Sequence, residues 1–234
     1  IFTDISDILF IEKNEKNWQI FTGEFSKSLS VEENSILQAF KLFENLIPDR
    51  FSIKIEKNLP VGAGLGGGSA DAAAIIRFIT NYYKYPMPSP KAISSIGADI
   101  PVCVFSVASR VRGIGEVVTP IDISKIDLWI VLVNPNIFVP TGSVFEEVIE
   151  KQNEPLEPFT RFSSADQFID YLKRQRNDLQ PIAANRWPEI KQVLDTIERT
   201  HDVLLSRMSG SGSTCFGLYG SQGSAKRAVS YINK

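Results

Sequence analysis

PVGAGLGGGSADAAA, residues 60–74, sets five glycines directly before an alanine-rich helix. Gly62, Gly64, Gly66, Gly67 and Gly68 strip side chains from the turn, so backbone N–H groups approach a ligand closely. The helix behind them presents unpaired N–H groups and the positive end of its dipole. Together these predict an anion site suited to a polyphosphate. Ser69 is placed to cap the helix or to touch a phosphate or its magnesium. A flexible surface turn accounts poorly for the stretch, since a strong helix former follows at once and Leu65 interrupts the glycines. Gly62, Gly64 and Gly67 satisfy G-x-G-x-x-G, but a dinucleotide fold needs an acid ending a second strand about 20 residues on. This chain has a helix end there, then Pro86, Pro88 and Pro90. No Gly-Lys-Ser/Thr closes a Walker A loop.

Upstream, Ile8 to Ile11 and Trp18 to Phe21 read as extended segments. A helix is expected from about Val31 to Leu46, capped by Ser30, Glu32 and Glu33, with Ile36, Leu37, Phe40 and Phe43 on one face. FSIKIE, residues 51–56, alternates as a half-buried strand with Phe51, Ile53 and Ile55 inward. Downstream, a short helix precedes Gly97, Val102 to Phe105 reads as strand, and Gly113 to Pro120 as the seam between two halves. Asp127 to Val133 predicts a buried strand. Helices follow over 142–151, 165–174 and 188–199, with Pro188 in a first turn. Val203 to Met208 and Thr214 to Tyr219 are strands flanking SGSGS, and a last helix covers Ser224 to Ile232. The class is α+β, in two lobes over 1–119 and 120–234, with a cleft as the natural site.

Composition narrows the function. The 234 residues are 43% hydrophobic and 22% charged, enough for a sizeable core. A net charge of -2 and a pI near 5.6 argue against nucleic-acid binding, which needs a basic surface. Cys103 and Cys215 are too few and too far apart for a disulfide framework or structural zinc, and read as buried thiols. No apolar run is long enough to span a bilayer and no basic leader opens the chain, which makes the cytoplasm the expected location.

P-x-G-x-G-L-G-G-G-S-A-D-A-A resembles the phosphate-binding motif of the GHMP kinases, a superfamily of small-molecule kinases. The triple-glycine form is similar to the branch whose acceptor is a cytidyl diphosphate sugar-alcohol of non-mevalonate isoprenoid synthesis. The likeness runs from this loop to the last helix. It implies an N-terminal lobe like ribosomal protein S5 domain two and a C-terminal lobe of ferredoxin-like type. It also implies ATP with magnesium, no nucleic-acid or membrane partner, and ATP contacts from Pro60, Val61, Gly62, Ala63, Gly64, Leu65, Gly66, Gly67, Gly68, Ser69 and Ala70. Asp99, in GADIP, matches the family's catalytic base; from the residues alone it reads as a turn aspartate. Gly210, Ser211 and Gly212, in MSGSGSTCF, match the phosphate-proximal third motif; alone they read as a hairpin turn. Thr141 and Phe145, in NPNIFVPTGSVF, match the substrate threonine and the aromatic that stacks on cytosine; alone they read as an N-cap and a core residue. Asn177-Asp178-Leu179 matches a family element of structural type, and His201 reads as an exposed bystander. Homoserine, mevalonate or sugar kinases of the same superfamily, and a nucleotide-binding module without turnover, remain as alternatives. The resemblance further places a strand, a lysine segment and a Gly-Tyr-His segment ahead of Ile1. A protein of these residues alone is therefore expected to fold poorly and lack activity.

Overall fold

The computed structural model describes residues 2–26, 34–150, 152–159 and 161–234. They form two compact units. The first comprises residues 1–61 and 66–121, the second 62–65 and 122–234.

The first unit is built on strands β1 (Ile8–Asn14), β2 (Trp18–Thr22) and β3 (Arg50–Glu56). β3 is central, antiparallel to β1 and parallel to β2, with Ile53 opposite Ile11 and Gln19. Phe51, Ile53 and Ile55 face inward as their alternation requires, and the central position buries Ser52 as well. Helices α1 (Ser35–Lys41) and α2 (Gly67–Tyr83) complete this core, in which Ala72, Ala73, Ile75, Ile76 and Ile79 form the buried stripe of α2. α1 is shorter than its apolar spacing predicts. Its observed cap is Asn34, whose Oδ1 accepts the Leu37 N–H at 3.1 Å. The expected caps Ser30, Glu32 and Glu33 lie outside the described residues.

Helices α3 (Pro90–Ser94) and α4 (Ile100–Phe105) follow. The strand expected at Val102 to Phe105 is helical instead. Pro101 fits the first turn of a helix and cannot donate to a sheet, and Ile100 and Cys103, three apart, both reach the core. The seam expected at Gly113 to Pro120 is part of a hairpin, β4 (Ser109–Arg112) antiparallel to β5 (Val117–Pro120). Its glycines build the turn, and the units divide after Ile121.

In the second unit β6 (Trp129–Val133), β7 (Val203–Met208) and β8 (Cys215–Tyr219) pair antiparallel in the order β6-β8-β7. Five helices accompany them: α5 (Thr141–Glu146), α6 (Ala165–Arg174), α7 (Gln180–Arg186), α8 (Pro188–Glu198) and α9 (Gln222–Ile232). Met208 and Cys215 pack with Ile190, Leu194 and Ile197 of α8, and Leu205 and Leu218 pack with Ile169 of α6. β6 is less buried than its apolar run predicts, with Val131 its one buried residue. α7 has no counterpart in the sequence reading, because its few apolar positions show no sustained period. Both cysteines are buried and unpaired, and burial pushes the Cys103 thiol up to about 11. No helix among the described residues is long and apolar enough to cross a membrane.

A buried cation joins β3 to α2. Lys57 is 3% exposed, and its ammonium bridges the carboxylates of Asp7 and Asp71, the latter at 2.7 Å. Burial pushes Asp71 up to about 6, against the opposing pull of Lys57. A raised acid favours the fold while protonated. Its contribution is therefore present below the ordinary value of 3.8 and lost as pH rises through about 6. Measured against Asp71→Asn, the parent's Tm is expected to fall between pH 4 and pH 7; parallel Tm curves would show that Lys57 fully compensates the ionised acid.

Candidate active site

The loop before α2 is shaped by glycines in the left-handed region. Gly64 has φ +69°, and a Cβ there would stand 2.2 Å from the Ser209 carbonyl oxygen. That approach lets the Ser209 hydroxyl donate to the Gly64 carbonyl at 2.7 Å, while the Thr214 N–H donates to the Ala63 carbonyl at 3.1 Å. Gly66 is the residue before the helix, at φ +70°, and makes no side-chain cap. The first helical bond runs from Ala70 N–H to the Gly66 carbonyl at 2.9 Å. From Gly62 through Ser69, no backbone N–H donates to a described residue. Unpaired amides at the start of a 17-residue helix make a cradle for anionic oxygen.

Asp99 occupies the position before α4, where its carbonyl accepts the Cys103 N–H at 3.2 Å. Its carboxylate makes no cap hydrogen bond, is exposed, and pairs with no described residue. The local role of a capping turn aspartate is therefore not what this side chain performs. Arg77 of α2 lies at the other end of α4, donating to the Cys103 carbonyl at 2.6 Å.

The second glycine turn is more than a hairpin connection. Gly210 and Gly212 are left-handed, and Ser211, Ser213 and Thr214 are buried. Each buried hydroxyl has a partner. Ser211 meets the Thr141 hydroxyl at 2.9 Å, Ser213 donates to the Ile137 carbonyl at 2.8 Å, and Thr214 accepts from Asn134 at 2.8 Å. The structure thus brings Thr141 to the serine of the glycine turn. Thr141 is the first residue of α5, behind Pro140, so it is not the cap. Phe145 is 54% exposed, so it is not core. His201 is exposed and pairs with Asp202 at 2.6 Å.

Comparison with known proteins matches these elements to a family. The GHMP kinases N terminal domain matches residues 34–117 and the GHMP kinases C terminal domain residues 159–234. This chain belongs to the GHMP kinase family. Within the family, a 4-diphosphocytidyl-2-C-methyl-D-erythritol kinase of Cereibacter sphaeroides is 36% identical over 99% of this chain and 83% of its own length. One of Ruegeria pomeroyi is 39% identical, over 98% and 81%. A crystal structure of 4-(cytidine 5'-diphospho)-2C-methyl-D-erythritol kinase superposes with TM-score 0.74 at 26% identity, over 98% of this chain and 82% of the other. A homoserine kinase of Cytophaga hutchinsonii shares the fold, with TM-score 0.70 at 17% identity over 97% and 80%. As a GHMP kinase the chain is an ATP-dependent small-molecule kinase.

Two residues from beyond the second glycine turn hold it in this GHMP kinase. The Asn177 side-chain amide donates to the Met208 carbonyl at 3.0 Å and the Gly210 carbonyl at 2.8 Å, while its oxygen accepts the Leu179 N–H. Gln180, opening α7, accepts the Met208 N–H at 2.9 Å. The Asn-Asp-Leu motif flags the first; nothing in the sequence pattern flags the second. Removing an amide that satisfies two carbonyls leaves acceptors unpaired, at a cost of about 1–3 kcal/mol. Asn177→Ala should lose that much in urea unfolding, whereas exposed Asp178→Ala should stay within about 0.5 kcal/mol of the parent.

Proposed function

We propose that this chain transfers the ATP γ-phosphoryl group to the 2-hydroxyl of 4-diphosphocytidyl-2-C-methyl-D-erythritol, a step of non-mevalonate isoprenoid synthesis. The observation that carries the reading is the run of unpaired backbone N–H groups from Gly62 to Ser69, on a chain similar over nearly its whole length to kinases named for that substrate. The amides and the α2 dipole take the ATP phosphates, and residues 60–70 form the nucleotide loop. Asp99, with a carboxylate committed to nothing else, accepts the hydroxyl proton as oxygen attacks the γ-phosphorus and the bond to ADP breaks. Ser211 and Thr141, hydrogen-bonded to each other at 2.9 Å, are assigned to phosphate and substrate respectively. Phe145 offers an exposed ring for the cytosine to stack on.

Magnesium fits this assignment. Such ions are held largely by substrate phosphates, and among the described residues no cluster of His, Cys, Asp or Glu would hold one alone. Ser69, whose hydroxyl has no partner among the described residues, is the side chain we assign to it. The ion supplies neutralisation of charge on the transferring group.

ADP release that depends on the cytidyl substrate tests the function. Release with homoserine or mevalonate instead would move the chain to another branch of the family, and binding without release would make it a nucleotide-binding module. In a complete enzyme, Asp99→Asn should lower kcat by about 10²–10⁴-fold with the KM for ATP little changed; turnover within a few-fold of the parent would remove Asp99 from the chemistry. Phe145→Ala should raise the KM for the cytidyl substrate and not for ATP, by roughly 5- to 160-fold if stacking contributes about 1–3 kcal/mol. At Gly66 a Cβ meets nothing within 4 Å, whereas at Gly67 it would press on Asp7 and Leu59. Gly66→Ala therefore intrudes on the cradle without a clash, at the cost of a strained left-handed φ of +70°, and it should raise the KM for ATP in a protein that still folds.

A further inference from the structure

We propose that the hairpin of β4 and β5 exists to hold the turn that carries Asp99, and that Gly115 is the positioning residue through which it acts. The inference rests on the reading of Asp99 as the base. A two-stranded hairpin has little stability of its own, and this one pairs with neither three-stranded sheet. Across residues 109–120, Gly115 is the one buried residue. It has φ +101°, and a Cβ on it would lie 1.9 Å from the Ala98 carbonyl oxygen and 2.6 Å from the Ala98 carbonyl carbon. The backbone of the hairpin turn therefore lies directly against the peptide that joins Ala98 to Asp99.

That peptide decides where Asp99 points. The carboxylate pairs with no described residue, so no contact of its own holds it, and the backbone sets the Cα–Cβ direction from which it reaches. The turn is closed by the Ile100 N–H donating to the Gly97 carbonyl at 3.1 Å, and then by the first bond of α4 from Cys103. These bonds fix the turn's ends. The Ala98 carbonyl between them is backed by Gly115. Any side chain at 115 must push it away, and the nitrogen that moves with that carbonyl belongs to Asp99.

The adjoining glycine supplies the control. Gly113 has φ +69° in the same turn, and a Cβ there would meet the Glu116 carboxylate, the tip of a flexible side chain. Gly113→Ala also strains the turn, in which the Glu116 carboxylate accepts the Ile114 N–H, but Gly115 at φ +101° lies further outside the left-handed well, and only Gly115→Ala reaches Ala98. In the enzyme, Gly115→Ala is expected to lower kcat by about 10²-fold, the scale of a displacement of about 1 Å near reacting atoms. The KM for ATP should stay within about threefold, and Gly113→Ala should retain a kcat near the parent's. Equal kcat in the two alanine variants would overturn the proposal. If Gly115→Ala fails to fold, residues 113–116 are replaced by Asn-Gly, a two-residue turn that closes the hairpin between Arg112 and Val117 without the contact. A folded protein with the parent's kcat would then overturn it, and a kcat lowered at unchanged KM for ATP would support it. Asp99→Asn, assayed alongside, separates the two failures: if that variant keeps its turnover, the base assignment fails, whatever Gly115 does.

Discussion

A backbone that binds phosphate must keep its own N–H groups unpaired, yet a loop with nothing bonded to it has no fixed shape. In the proposed reading, residues 62–69 meet this constraint by using their carbonyls. Ala63 and Gly64 accept from Thr214 and Ser209, Gly66 accepts the first bond of α2, and Gly68 accepts from the Ser35 hydroxyl at 2.7 Å. Each bond fixes a peptide plane through its oxygen and leaves the amide of the stretch free. Glycine is required where this brings backbones together, as at Gly64 against Ser209, and the same contact explains why a second glycine turn accompanies the first.

That second turn carries the cost in side chains. Its buried serines and threonine would be expensive if unsatisfied, and each is paired from the one stretch 134–141, Ser211 with Thr141, Ser213 with Ile137 and Thr214 with Asn134, while Asn177 holds the Gly210 carbonyl from the other side. The NPNIFVPT stretch and the Asn-Asp-Leu element are thus parts of one hydrogen-bonded assembly around the turn. This gives Thr141 a positional role beside any contact with substrate, so its hydroxyl should be judged by both. The buried Lys57 in the first unit is a different device. A single cation shared by two carboxylates fixes the end of β3 against the start of α2. The start of that helix is the part that faces the nucleotide in the proposed reading.

The elements legible in the sequence were those with a long period or a strong punctuator. The alternation at Phe51, Ile53 and Ile55, the α6 and α8 spans, and the β7-turn-β8 unit all declared themselves by pattern. What stayed hidden depended on contacts between distant residues. Val102 to Phe105 is apolar enough for either class, and its helix is decided by Pro101 and by docking on α2. Gln180 has an ordinary polar side chain whose partner, Met208, lies nearly thirty positions away, about which local pattern says nothing, and the motif that marks Asn177 as structural does not name its partners Met208 and Gly210. Phe145 could be core or platform by sequence. Its exposure excludes the first.

The hairpin shows why glycine is easily misread. Gly113 and Gly115 carry the usual marks of a linker, and a chain that changes units a few residues later invites that reading. Yet the two glycines serve different ends. Gly113 turns the chain, and a side chain there would meet only a movable carboxylate. Gly115 is buried against a peptide bond and has no room for a side chain at all. A left-handed glycine in open space reports on local conformation; one whose missing Cβ is filled by another backbone reports on a contact. Since that backbone belongs to the turn of Asp99, the constraint on Gly115 is inherited from the residue it supports.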